Sequence, residues 1–153
     1  MKKILVTGAK GFIGQSLCLE FAKSNRSIIG AVRSLEKLSL MDKIRYISVG
    51  DIGSQTNWSD TLLGSDCIIH CAGKTHVMRK NIQLEAYLPV NVNGTRRLAQ
   101  QAAEAGVKRL IFLSSIKVNG ESTDNVLNDV NKNNNIFTHN DLPNPDDPYA
   151  ISK

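Results

Sequence analysis

Tyr149 and Lys153 stand four residues apart in the segment Asp147-Pro148-Tyr149-Ala150-Ile151-Ser152-Lys153. Asp147 reads as the cap of a helix and Pro148 as its first residue, so the two side chains fall on one helix face. A phenol ionises near ~10 and is a poor acid-base group at neutral pH until a nearby ammonium favours its anion. The spacing supplies that ammonium. Taken alone, such a pair is common on any helix surface, and its meaning depends on what else the chain carries.

A second group is Thr7 to Gly14, TGAKGFIG, in which Gly8, Gly11 and Gly14 are spaced three and three. The first glycine permits a tight turn, the second lets backbone approach a pyrophosphate, and the third lets a helix pack against a strand. Backbone N–H groups at the helix start, around Phe12 and Ile13, then meet the negative charge. The segment follows a β-branched run and opens an amphipathic helix, which favours nucleotide binding over a merely structural turn. About 20 residues on, where an acid is expected to hold a ribose diol, the chain has Arg33, with Ser34 beside it. A guanidinium suits a 2′-phosphate better, so NADP is favoured over NAD; stacking of Arg33 on adenine, or its exposure to solvent, is the alternative. Asp51 and Ile52 follow the third strand, where Asp51 can accept from an adenine amino group and Ile52 can cover the ring. A helix cap is the competing reading of Asp51.

The elements that must position these groups follow from the hydrophobic pattern. Strands are expected at Lys3 to Val6, Ser27 to Val32, Ile44 to Val49, Cys67 to Cys71 and Arg109 to Ser114. Helices are expected after the glycine turn, around Gln55 to Leu63, and over roughly Ala86 to Ala105 with Gly106 as a stop signal. Strands alternating with helices imply an α/β, doubly wound, Rossmann-type parallel sheet, since each parallel crossover needs a helix to return the chain. Asn119 to Asn140, which contains Asn133-Asn134-Asn135, is too polar to join the core and reads as a surface excursion.

Bulk properties narrow the function classes. The 153 residues, 41% of them hydrophobic, suit one domain with one core. A net charge of +5 is spread along the chain, and 5% aromatic content offers few stacking platforms, so a solvated basic surface is expected rather than nucleic-acid binding. The apolar run of MKKILV ends at Thr7-Gly8, far short of a secretory core, and no stretch approaches a membrane span; a cytoplasmic protein is expected. Cys67, His70, Cys71 and His76 could suggest zinc, but strand alternation sends His70 to the face opposite both cysteines, so no metal site is expected.

Together, TGAKGFIG, Asp51, His70-Cys71-Ala72-Gly73, Asn91 in NVNGT, Ser114-Ser115 and the terminal YAISK resemble the extended short-chain dehydrogenase/reductase family. The closest branch is the nucleotide-sugar 4-epimerases and 4-ketoreductases. The resemblance implies that Tyr149 is the general acid/base, that Lys153 lowers its pKa and holds the nicotinamide ribose, and that Ser115 hydrogen-bonds the reacting sugar oxygen. It also implies that Cys71, Ala72 and Gly73 line the cofactor. Asn91 resembles an asparagine that supports the lysine, with a buried helix-helix contact as the alternative. The activity implied is reversible hydride transfer on a UDP-hexose or UDP-N-acetylhexosamine. Alternatives are a non-catalytic NAD(P)-binding regulator and a reductase of a small non-sugar carbonyl.

Departures from the family pattern carry information too. Ser115 is followed by Ile116-Lys117 where 4,6-dehydratases carry an Asp-Glu pair, which disfavours dehydration. Val118-Asn119-Gly120 replaces the common Val-Tyr-Gly, and Lys74 to Met78 with SSIKVNG is similar to bacterial surface-polysaccharide enzymes. Family members run to about twice this length with a carboxyl-terminal substrate domain and commonly dimerise through two long helices. Residues 1–153 are therefore expected to be a partial dinucleotide-binding domain that ends before the last strands, and a one-turn helix at Tyr149 to be unstable.

Overall fold

The computed structural model describes residues 2–36, 43–75, 83–123 and 136–153. His76, Met78 and Asn133 to Asn135 lie outside them. Five strands form one sheet, β1 (Lys3–Thr7), β2 (Ser27–Val32), β3 (Ile44–Ser48), β4 (Cys67–His70) and β5 (Arg109–Phe112). Every pairing is parallel and the order is β3-β2-β1-β4-β5. The order reverses between β1 and β4, which opens a crevice at the carboxyl ends of those strands.

Side-chain alternation builds a core on each face of the sheet. Ile4, Val6, Ile28, Val32 and Ile69 pack on one face with Cys18 of α1 (Phe12–Ala22). Leu5, Ile29, Ala31 and Ile68 pack on the other, against Leu62 of α2 (Ser59–Leu62) and Leu98 and Ala102 of α3 (Thr95–Glu104). Cys67 and Cys71 join the first face, whereas His70 reaches Thr95 of α3 on the second, the separation that alternation predicts.

Two helices differ from the hydrophobic pattern. The expected helix around Gln55 is only the single turn α2, because the Thr56 hydroxyl accepts from Gly53 N–H at 2.8 Å and donates to Asp51 O at 3.2 Å, holding residues 51–56 in a turn. The expected long helix is composite: a 3₁₀ turn at Leu84–Ala86 and a π-helix at Leu88–Gly94 precede α3. Pro89 removes a donor from the first turn of the π-helix. Gly94 lets it pass so close to Ile52 that an added Cβ would lie 2.4 Å from the isoleucine's Cγ2.

The chain also ends in an ordered turn, α4 (Pro148–Ile151), contrary to the instability expected of an isolated helix start. Asp147 caps it, and Ala150 and Ser152 are buried. Burial of Ala150 and Ser152 supports this single turn, which would be marginal in isolation.

Gln101 of α3 secures the approach to α2. Its Oε1 accepts from Trp58 N–H at 2.9 Å, and its Nε2 donates to Thr56 O at 2.8 Å. The Thr56 carbonyl also receives Arg97 Nε at 3.4 Å, but Trp58 N–H has no such second bond. Gln101→Leu should therefore lower the free energy of unfolding by about 1–3 kcal/mol, the cost of one buried orphaned amide. Urea denaturation measures this, and an unchanged midpoint would show that the amide finds another partner.

Candidate functional site: a dinucleotide groove

At the switch between β1 and β4 lies a groove of about 710 Å³. Gly8 ends β1 with φ of +64°, a left-handed conformation that favours glycine. A Cβ there would lie 2.9 Å from the Ala72 backbone, so the two strand ends meet as they do only because Gly8 has no side chain. Gly14 lets α1 lie on the turn, since a Cβ would come within 2.2 Å of Gly8 O. Gly11 faces the groove, caps α1 and has no side-chain bond across the helix start. The leading N–H groups of α1, from Phe12 and Ile13 onward, precede the first helical bond, Gln15 N–H to Gly11 O at 2.9 Å. A pyrophosphate fits this cradle, which a side chain at Gly8 or Gly11 would narrow.

The remaining wall comes from strand ends. Arg33, Ile52, Cys71, Ala72 and Gly73 line the groove as the sequence suggests. Asp51 lies at the rim, where its carboxylate meets Arg33 Nε at 2.8 Å; both side chains are exposed. Residue types alone had not paired these two. The cap of α2 is Trp58, so Asp51 does not have the capping role that competed for it. Lys10, Gly50, Lys74 and Val90 also line the groove. Lys74 belongs to a run noted only for its likeness to surface-polysaccharide enzymes, and no motif marks Val90; both positions depend on how the loop after β4 meets the π-helix.

A buried polar network underlies that loop. The Thr7 hydroxyl accepts from Ala72 N–H at 3.1 Å and lies 2.6 Å from His70 Nδ1, while His70 Nε2 lies 3.0 Å from Thr95 Oγ1. All these groups are satisfied when Thr7 donates to Nδ1 and a neutral imidazole donates from Nε2 to Thr95. The ring stacks on Phe112, centroids 5.8 Å apart. Burial first, and then the Lys153 ammonium, push His70 down to about 4.

Lys153 reaches the same place from just beyond the end of α4. Its Nζ lies 4.6 Å above the Phe112 ring, and a Cβ on Gly73 would stand 3.5 Å from it. Burial holds this ammonium below the usual lysine range, with the nearby Cys71 thiol acting in the other direction. Burial likewise raises the Cys71 thiol, opposed by Lys153. Tyr149 packs edge-on against buried Tyr87, centroids 5.9 Å apart. Ser115 opens a 3₁₀ turn, Ile116–Val118, after β5, and Ser114 Oγ donates to Lys153 O at 3.4 Å. Thus the β5 end and α4 converge on the groove wall. Asn91 joins them to it: its side chain exchanges bonds with the Lys74 backbone at 2.7 and 3.0 Å and donates to Ser152 Oγ at 2.8 Å.

The family model described as NAD dependent epimerase/dehydratase family matches residues 4–153. A Vibrio cholerae UDP-glucose 4-epimerase is 38% identical over 155 residues, covering 99% of this chain and 44% of that protein. A Homo sapiens dTDP-D-glucose 4,6-dehydratase is 29% identical over 165 residues, covering 99% and 44%. The structure of MoeE5 in complex with UDP-glucuronic acid and NAD aligns with a TM-score of 0.80 at 31% identity, covering 98% of this chain and 45% of that one. The chain therefore spans less than half the length of these relatives.

His70 makes the fold sensitive to acid. A base whose native pKa lies near 4 instead of 6.5 leaves stability whole above pH 6.5 and removes it as pH falls towards 4, because the unfolded chain takes up the proton first. At ~1.4 kcal/mol per pH unit the loss approaches roughly 3 kcal/mol. Denaturation midpoints between pH 7 and 4 should fall less steeply in His70→Gln than in the parent chain. Parallel profiles would show that His70 is not the titrating group.

Proposed function

The chain belongs to the NAD dependent epimerase/dehydratase family, and from that premise we propose that it forms the cofactor-binding part of a nucleotide-sugar 4-epimerase or 4-ketoreductase acting on a UDP-hexose or UDP-N-acetylhexosamine. The observation that carries the reading is the approach of Lys153 to the Cys71 to Gly73 wall, two residues beyond the short helix that holds Tyr149. A nicotinamide dinucleotide bound in the groove supplies a hydride acceptor and donor. Tyr149 as phenolate takes the proton of a sugar hydroxyl, and returns it when a carbonyl is reduced. Lys153, half-buried beside Gly73, would hold the nicotinamide ribose. Ser115 donates to the sugar oxygen and orients it.

Epimerisation and reduction are favoured over dehydration by Ile116 and Lys117. The position that would need an acid holds an ammonium already bound to two carboxylates, at 2.8 Å from Glu121 and 2.7 Å from Asp147. Arg33 supports NADP, with Asp51 orienting its guanidinium through Nε. We assign the protein to the cytoplasm; among the described residues no helix is long and apolar enough to cross a membrane. We further propose a homodimer formed through α3 and the helix begun at α4. The 153 residues alone are expected to bind cofactor weakly and to turn over no sugar.

Two measurements test this reading. NADPH should bind at least tenfold more tightly than NADH, and Arg33→Ala should abolish the difference; equal affinities, or an NADH preference, would refute the NADP assignment. In the longest product of the gene, UDP-sugars should be interconverted without net cofactor use by an epimerase, or with it by a reductase. Tyr149→Phe should lower kcat by at least ~10²-fold. Retention of activity by that variant would remove Tyr149 from its role.

A further inference from the structure

Ser115 and Tyr149 stand on separate segments, the turn after β5 and α4, and Lys117 is bonded to both segments. Its Nζ donates to Asp147 Oδ2 at 2.7 Å and to Glu121 Oε1 at 2.8 Å. Asp147 uses its other oxygen, Oδ1, to accept Ala150 N–H at 2.8 Å and so caps α4. At the other end, Lys117 N–H donates to Ser115 Oγ at 3.3 Å. One bonded path therefore runs from Ser115 through Lys117 and Asp147 to the helix that carries Tyr149 and leads into Lys153. A second tie is parallel to it, Asn144 N–H to Val118 O at 2.8 Å.

The path is built differently from a surface ion pair. The Lys117 and Asp147 side chains are only 33% and 24% exposed, so water screens them less than it does the Arg33 pair at 81% and 85%. The Asp147 carboxylate and the Lys117 ammonium are held in charged form. Burial by itself would raise Asp147, but the bonds from Lys117 and the Ala150 amide bring it down to about 2. The bonds to Asp147 and Glu121 raise Lys117 above the usual lysine range. An ammonium with three donors can serve two carboxylates at once, which no neutral side chain of this length can do.

We propose that Lys117 is a positioning residue: through Asp147 its ammonium fastens the Ser115 turn to the start of α4 and so sets the approach of the Ser115 hydroxyl to the Tyr149 phenol. It touches no reacting atom itself. The inference rests on the reading of Ser115 and Tyr149 given above, and a misplacement of about 1 Å at such a pair can cost up to ~10²-fold in rate.

Amide hydrogen exchange tests the tie without turnover. The amides of Ile151, Ser152 and Lys153 bond to Asp147 O, to Pro148 O and Tyr149 O, and to Ala150 O, respectively, and report on α4. Lys117→Met and Asp147→Asn should each speed their exchange about tenfold, the scale of a hydrogen bond to a charged group. The Asn variant retains an oxygen to cap the helix. The double variant should exchange no faster than either single one, Lys117→Arg should match the parent, and amides of β1 and β4 should be unaffected. Unchanged exchange in Lys117→Met, or additive effects in the double variant, overturns the proposal. If Lys117→Met does not fold, Asp147→Asn against Lys117→Arg carries the comparison.

Kinetics of the longest gene product supply the second readout. Lys117→Met should lower kcat roughly 10–100-fold with KM little changed, and Lys117→Arg should restore it. A raised KM with normal kcat, or no change in either, overturns the positioning role. If the parent protein turns over no nucleotide sugar, the proposed function fails, and the exchange comparison still decides whether Lys117 holds α4.

Discussion

The contact between the ends of β1 and β4 is the constraint on which the rest of the molecule depends. Gly8 lies against the Ala72 backbone, and one residue earlier Thr7 bonds both Ala72 N–H and the His70 ring. His70 in turn reaches Thr95 at the first turn of α3. Three segments are thus joined by three hydrogen bonds around the buried Thr7 and His70 side chains, where a polar group left unpaired costs about 1–3 kcal/mol. The strand order requires β1 and β4 to part company with their helices on opposite faces. The network ties the two strand ends together beneath the resulting crevice.

The end of β5 and α4 are tied to that crevice by polar side chains. Asn91 is 4% exposed and holds both the loop after β4 and Ser152, while Phe112 stacks on His70 beneath the Lys153 ammonium. The π-helix belongs to this scheme. Its wider turn carries Asn91 between the loop after β4 and α4, and Gly94 at its end admits Ile52 from the opposite side of the groove. π-turns within helices occur often at functional sites.

Much of this was legible in the sequence because it depends on local patterns. Runs such as Ile28 to Val32 become strands by composition and alternation, and the glycine spacing of TGAKGFIG requires both the turn and the close helix it receives. What could not be read depends on contacts between distant segments. The periodicity of Ala86 to Ala105 is that of one helix; the change to a wider turn follows from Pro89 and from the approach of Ile52, and the latter leaves no trace in spacing. The Gln55 region shows helical periodicity that the Thr56 hydroxyl overrides locally. Arg33 and Asp51 were each singled out by type, yet their pairing exists only because β2 and β3 are neighbours. Lys117 drew attention as a departure from an acidic pattern, and its partner Asp147 as a cap. That the two are one device needs the fold.

A neutral His70 under the crevice leaves the groove's charge to its rim. Lys10, Arg33 and Lys74 line it, Lys153 adds an ammonium at the inner wall, and Asp51 is the acid paired into this set. Such an arrangement acts on a dinucleotide before any contact forms. Positive potential converging on a concave surface steers a polyanion inward and raises the encounter rate, and mobile ions weaken the pull over a Debye length of about 10 Å at 0.1 M. An electrostatic pull of this kind weakens as ionic strength rises, whereas the shape of the glycine turn does not depend on salt.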